Sequence, residues 1–368
     1  MINLERKTYM SISQLALVIF QAVVGIHVMI ANLILLETAE QFSWVSVVVC
    51  GMVVSGIVDL CVRLGQNYPE ETFVEYMPRL WGKWGGRLAV CWFILIFILY
   101  LWVSLQGFTR IVGMGILDAT PFEIITIAGL IVAVYGALQD WGTIRRLLEI
   151  TVFIFLFLVL SLWYLTVLNF DFENILPLWP LDFGKVLAGA VTSWDFFGGY
   201  ELVLLLLPLV RPIHGQKIRI HMWLLIALVT FLYASTIFIT IGVLTVEGTK
   251  NTPFPTVTIL KAIEIPGTFI ERLENYLLLF WVPLMLNNWI IIIYSLAKVM
   301  SIWLGYRDHR PWVLILLPLL FFGNTLLYDT GAFRTALQIF HWVGLLFSLI
   351  VIPLSFFLVR WRRQAPCR

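Results

Sequence analysis

Two apolar segments of this chain break at their middles, and they occupy matching places in its two halves. The first runs from about residue 13 to 36 and carries Gly25 at its centre. The second runs from about 186 to 208 and carries Asp195-Phe196-Phe197-Gly198-Gly199-Tyr200-Glu201 there. A segment made to cross a bilayer gains nothing from adjacent glycines and two acids at mid-depth unless that depth has a use. Unwound backbone survives inside a membrane only where protein or a water-filled cavity surrounds it. Interrupted spans at corresponding positions of two halves point to a small-molecule site.

Composition places the chain in lipid. Of its 368 residues 61% are hydrophobic and 12% charged, against roughly 25% charged in a soluble domain. Cys50, Cys61, Cys91 and Cys367 show neither CxxC nor zinc spacing. Those in or near apolar spans read as small buried hydrophobes, and no disulfide is expected. Arg6 and Lys7 precede an apolar stretch too long for a signal core and without a small-residue cleavage site, so this stretch reads as a retained span. Ser11 with Gln14 fits a capping box for its start.

Hydropathy predicts ten spans, at about 13–36, 42–62, 88–110, 121–138, 147–168, 186–208, 221–246, 274–303, 311–328 and 336–358. With the N-terminus inside, seventeen Lys and Arg residues fall on the cytoplasmic side. Six fall outside: Arg110, Lys185, Lys250, Lys261, Arg272 and Arg334. Both termini are therefore expected in the cytoplasm. Five spans precede the connection at 169–184 and five follow it. An odd number per half makes the second half enter from the opposite side, an inverted repeat with units at about 11–168 and 185–361 of one transmembrane domain. A possible short helix from Glu70 to Trp81 follows span 2, and another from Thr256 to Ile265 follows span 7.

The sixth span holds the most chemistry. Charged groups at mid-bilayer cost at least a few kcal/mol and mark pathways or sites. On an unbroken helix Asp195 and Glu201 would lie about 120° apart. A break at Gly198-Gly199 frees both to face one cavity, since glycine permits the backbone conformations this needs. The alternative is that both acids are satisfied inside the bundle and hold helices together. In span 1, Val24, Gly25 and Ile26 form the expected break; a lone glycine also serves helix packing. His27 reads either as a titrating or ligand-binding group or as a buried, hydrogen-bonded one. Tyr100 in span 3 and Asn287-Asn288 in span 8 lie near mid-span and complete a pocket or pack helices. Pro283 is a candidate kink. Half-helices ending at such breaks expose amides that suit a carboxylate and carbonyls that suit an ammonium or cation, so a zwitterionic amino acid is a natural ligand. A sugar could hydrogen-bond there too. The stretch 147–168 carries no Lys or Arg, so no fixed cation in span 5 replaces a coupling sodium. A proton-coupled mechanism would fall to Asp195, Glu201 or His27.

Enzyme signatures are absent: no HExxH, phosphate loop, nucleophile elbow or metal-ligand cluster occurs. No cofactor and no nucleic-acid partner is expected.

The opening Lys7-Thr8-Tyr9-Met10-Ser11-Ile12-Ser13-Gln14 before a Gly25-centred span, Gly199-Tyr200-Glu201 in span 6, and Tyr76-Met77-Pro78-Arg79-Leu80-Trp81-Gly82-Lys83 between spans 2 and 3 carry a resemblance. With the length and the ten spans, they make the chain similar over nearly its whole length to the amino acid–polyamine–organocation superfamily of permeases. Within that superfamily it resembles the B subunits of bacterial endospore germinant receptors. The resemblance implies an all-α, LeuT-like 5+5 fold with discontinuous helices 1 and 6. It also implies a nutrient-sensing subunit of the spore inner membrane, partnered by an A-type membrane subunit and a C-type lipoprotein. By analogy the pocket surrounds Val24, Gly25, Ile26, Phe197, Gly198, Gly199 and Tyr200. The chain has one central glycine in span 1 where many permeases have more, which leaves the depth of unwinding and active transport open. A proton-coupled amino-acid permease acting alone is the competing expectation; a scaffold that binds nothing is a third.

Overall fold

The computed structural model describes residues 9–115, 117–166, 169–211, 216–252, 255–261 and 273–364. Arg6, Lys7, Cys367 and Arg368, the end of the possible helix to Ile265, and Arg272 lie outside them. Among the described residues the regular structure is helical apart from one isolated bridge.

The elements are α1 Ile12–Val23, α2 His27–Ala39, α3 Ser43–Gln66, α4 Phe73–Gly115, α5 Phe122–Ala137, α6 Trp141–Thr166, α7 Phe183–Thr192, α8 Val203–Leu206, α9 Gln216–Lys250, α10 Pro255–Lys261, α11 Leu273–Leu304, α12 Arg310–Leu326, α13 Thr330–Leu346 and α14 Ile352–Gln364. Helices dominate because backbone groups in hydrocarbon must be satisfied within their own segment. All ten apolar segments are helical. By length and composition, six helices among the described residues can cross a membrane, or seven if a bent pair counts as one span. The count of ten requires joining α1 to α2 and admitting the shorter helices α5 and α12. Glu40, at φ 49°, ends α2 before α3 begins.

Polar side chains start the helices where the sequence offers them. Ser11 and Gln14 form the expected capping box on α1. Asp140 accepts from the Thr143 amide at the start of α6 (3.2 Å). Asp182 caps α7, and Asp329 caps α13. These caps open spans 1, 5, 6 and 10, which are equivalent positions in two five-span units. The short helix expected after span 2 is the first part of α4, ending at Gly82 with φ 78°. Its counterpart after span 7 is α10, preceded by a break in α9 at Thr245 with φ 65°. α11 is assigned as a single helix through Pro283.

Packing repeats the same relation. Spans 2 and 7 (α3, α9), 3 and 8 (α4, α11) and 4 and 9 (α5, α12) each pack on their own counterpart. The contact of α1 with α9 is matched by α7 with α3, that of α2 with α9 by α8 with α3, that of α6 with α11 by α13 with α4, and that of α5 with α11 by α12 with α4. Such reciprocal pairs are what a two-fold between five-helix units generates. The broken spans lie at the centre, and the residues flanking both breaks are buried. Cys50 and Cys61 are buried as expected. Cys91 is instead exposed, because it lies on an outward face of α4.

Candidate functional site

α1 ends at Val23, and its last regular bond runs from the Val24 amide to the Phe20 carbonyl (2.8 Å). Val24 turns extended, with φ −81° and ψ 90°. Val24, Gly25 and Ile26 are non-helical, and α2 restarts at His27. The carbonyls of Gln21, Ala22 and Val23 thereby lose their partners four residues on, and side chains from other spans replace them. Asn288 Nδ2 donates to Gln21 O and Ala22 O, at 2.9 Å each. Tyr100 Oη lies 3.3 Å from Ala22 O, and Tyr233 Oη donates to Val23 O (3.2 Å).

The second break is a 52° bend between Phe183–Phe197 and Tyr200–Leu209. Gly199 sits at φ 111°, a conformation open to glycine and poor for other residues. A β-carbon there would lie 2.5 Å from the Ala22 carbonyl oxygen. The two breaks therefore touch, backbone to backbone, and glycine is what lets them. Gly25 is crowded in the same way: a β-carbon would come within 2.8 Å of Tyr100 Oη. One at Gly198 would meet Phe340 at 3.3 Å and Tyr100 at 3.7 Å.

The carboxylate of Glu201 folds back to accept from the Gly199 amide (2.9 Å), so it occupies the amide end of the second half-helix. Tyr200 Oη donates to Ser348 Oγ in span 10 (2.6 Å). Asp195 hydrogen-bonds His341 Nδ1 in α13 (3.0 Å). His27 is buried, stands 5.4 Å from the Phe196 ring between centroids, and its Nδ1 has no hydrogen-bond partner. Phe197 is buried against Tyr233.

Of the residues singled out in sequence, Gly25, Tyr100, Gly198, Gly199 and Asn288 meet at one place, with Val24, Ile26, Phe197, Tyr200 and Glu201 around it. Asn287 turns away and donates to Thr151 Oγ1 in α6 (2.8 Å); neighbours on a helix cannot face one point. Asp195 and Glu201 lie on the two sides of the bend with separate partners. Tyr233, Gln21, His341 and Ser348 were not singled out. His341, a lone histidine early in the tenth span, carried the one available signal. Gln21 donates to Leu284 O (2.7 Å) and braces α1 against α11.

The broken spans are tied at both ends. Met10 N donates to Leu209 O (2.9 Å) and Arg211 N to Met10 O (3.1 Å), joining the start of span 1 to the end of span 6. Arg145 Nη1 donates to Tyr9 O there (3.1 Å), and Arg211 lies 4.7 Å over the Tyr9 ring. At the opposite end Lys185 pairs with Glu40 (2.5 Å). A separate cavity of about 980 Å³ opens between α3, α6 and α9, beside Trp44, Gly51, Trp163, Thr230 and Phe238. Its walls are almost wholly apolar, so it suits hydrocarbon and offers little to a polar solute.

Comparison with known proteins agrees with this geometry. Over 96% of this chain and 89% of the other, the fold matches MhsT, solved in complex with L-phenylalanine, with TM-score 0.70 and 13% identity. That likeness fixes a LeuT-type fold. Among curated Bacillus subtilis (strain 168) proteins, the chain is 29% identical to spore germination protein YndE over 72% of each chain. It is 26% identical to spore germination protein B2 over 67% of this chain and 66% of that one. With spore germination protein A2 it shares 22% over 87% of each. The spore germination protein family matches residues 9–333. A match over that length, on a transporter fold with both central spans broken, makes this chain a member of the spore germination protein family.

Proposed function

We propose that the chain is the nutrient-sensing subunit of a spore germination receptor. It binds a small molecule, an amino acid or sugar, at the breaks of spans 1 and 6. It signals with A-type and C-type partner subunits in the spore inner membrane, with both termini cytoplasmic. The halves at about 11–168 and 185–361 act as one transmembrane unit with no catalytic step. The observation that carries this is the contact of the two breaks at Gly199 and Ala22, deep in the bundle. Around that contact the unwound backbone stands beside the buried polar side chains of Tyr100, Tyr200, Asn288 and Glu201, which can hydrogen-bond a small polar solute. Val24, Gly25, Ile26, Phe197, Gly198, Gly199 and Tyr200 form the pocket, Tyr100 and Asn288 its wall. Asn287 supports it by tying α11 to α6. Glu201, Asp195 and His27 carry coupling or signalling. L-phenylalanine bound to a protein of this fold supports an amino acid as the ligand class.

Binding acts by shifting the population of two transporter-like conformations, which requires different affinities for the two. A nutrient panel scored by thermal shift on the purified protein tests the reading. One nutrient class should stabilise the wild type and leave Gly25→Leu and Gly199→Leu unmoved while membrane levels stay normal. Unchanged nutrient response in both variants would remove the pocket.

The buried Glu201 carboxylate favours a second reading, a proton-coupled amino-acid permease acting alone. Reconstitution in liposomes separates the two. Concentrative uptake driven by a pH gradient without partner subunits selects the permease.

A further inference from the structure

The carbonyl end of a broken transmembrane helix is where proteins of this architecture hold a coupling cation. In this chain that end is already filled by protein. Gln21, Ala22 and Val23 present three freed carbonyls, and all three receive side-chain donors. Both hydrogens of the Asn288 amide are used, one on Gln21 O and one on Ala22 O. Its Oδ1 accepts from Tyr100 Oη (3.1 Å), and Tyr100 also reaches Ala22 O. Tyr233 covers Val23 O. The opposite amide orientation would set Oδ1 against two carbonyl oxygens, so the network fixes which atom points at α1. Asn288 is fully buried, and no lysine or arginine stands at 147–166 in the adjoining α6 to serve instead.

We infer that the Asn288 side-chain amide takes the place of a coupling cation at the break of span 1, so that this protein holds its broken helix without a bound ion. The amide supplies hydrogen-bond donors to the negative end of α1 but no net charge that can leave. A sodium or potassium gradient then has nothing to act on at this position. The inference rests on the two breaks being the binding centre. Its test contains no nutrient, so its outcome is separate from that of the proposed function.

The test is thermal denaturation of the purified full-length protein in detergent, titrated with sodium, potassium or lithium chloride against choline chloride at equal ionic strength. The wild type should show no saturable cation-specific shift. Asn288→Asp would set a carboxylate beside two carbonyls and a phenol, an all-oxygen set suited to a hard cation. At pH 8.5 that variant should gain a saturable rise in midpoint of about 3 °C or more. Asn288→Leu should lower the midpoint and respond to no cation, because the carbonyls lose their donors. Saturable stabilisation of the wild type by any of the three cations would overturn the inference. So would a folded Asn288→Asp protein indifferent to cations from pH 7 to 9, or an Asn288→Leu protein as stable as the wild type. Should Asn288→Asp fail to fold, the wild-type titration and the leucine variant still decide.

Discussion

Gly199 is the residue on which the geometry of the centre turns. Its φ is 111°, and a β-carbon added there would stand only 2.5 Å from Ala22 O, which leaves no room for a side chain. Gly199→Ala should cost about 1–3 kcal/mol, the usual strain of a non-glycine residue held in such a conformation, read as a lower melting midpoint in detergent. The Asp195–His341 pair is a second residue-level case, with side chains 10% and 14% exposed. Removing one member of a buried pair costs about 3–5 kcal/mol, because the other is left without its partner. Asp195→Asn and His341→Leu should each destabilise strongly, and the double variant by less than their sum; an additive cycle would show that the contact contributes nothing. A third case lies outside the spans. Burial against Tyr294 and the nearby Lys298 charge push His309 down to about 4. The unfolded chain takes up this proton near pH 6.5, and the folded one refuses it until near pH 4. Stability should therefore fall as pH drops through that window, and His309→Gln should flatten the dependence.

At the level of elements, spans 1 and 6 behave as a joined pair. Each has a polar cap at its start and a break at its middle, and the two are fastened to each other at both faces of the bundle. Met10 and Val210 form a parallel bridge, and adjacent strands run about 4.8 Å apart, within reach of a disulfide. In a background without the native cysteines, Met10→Cys with Val210→Cys should cross-link under mild oxidation. If signalling requires the two spans to separate at that end, the oxidised receptor will ignore nutrient and the reduced one will recover. A nutrient response that persists while cross-linked would show that the movement lies elsewhere.

For the whole molecule, the reciprocal contacts of α1 with α9 and α7 with α3, and of α6 with α11 and α13 with α4, describe two five-helix units wrapped around one centre. An inverted pair of odd-numbered units puts both chain ends on one face. Reporter fusions at the two ends should therefore label the same side of the membrane; labels on opposite sides would break the repeat. The groove between α3, α6 and α9 faces away from the centre and is apolar, so nutrient selectivity should be insensitive to substitutions such as Met52→Leu there.

The sequence by itself determined the membrane setting, the helical segments, the cap at Ser11 and the two breaks. These follow from hydropathy, local hydrogen bonding and the conformational range of glycine, all set by residues close in the chain. It also brought Gly25, Tyr100, Asn288 and Gly199 onto one short roster of mid-span residues. Only the tertiary structure decided what each of them does. Asn288 and Tyr100 lie 188 positions apart, and nothing local says that they share a hydrogen bond or cap the same carbonyls. The same holds for Asp195 with His341, and for Asn287 turning to Thr151 while its neighbour turns to α1. A broken helix announces itself through the residues that cannot stay wound. The groups that satisfy its freed ends come from whichever helices packing sets alongside.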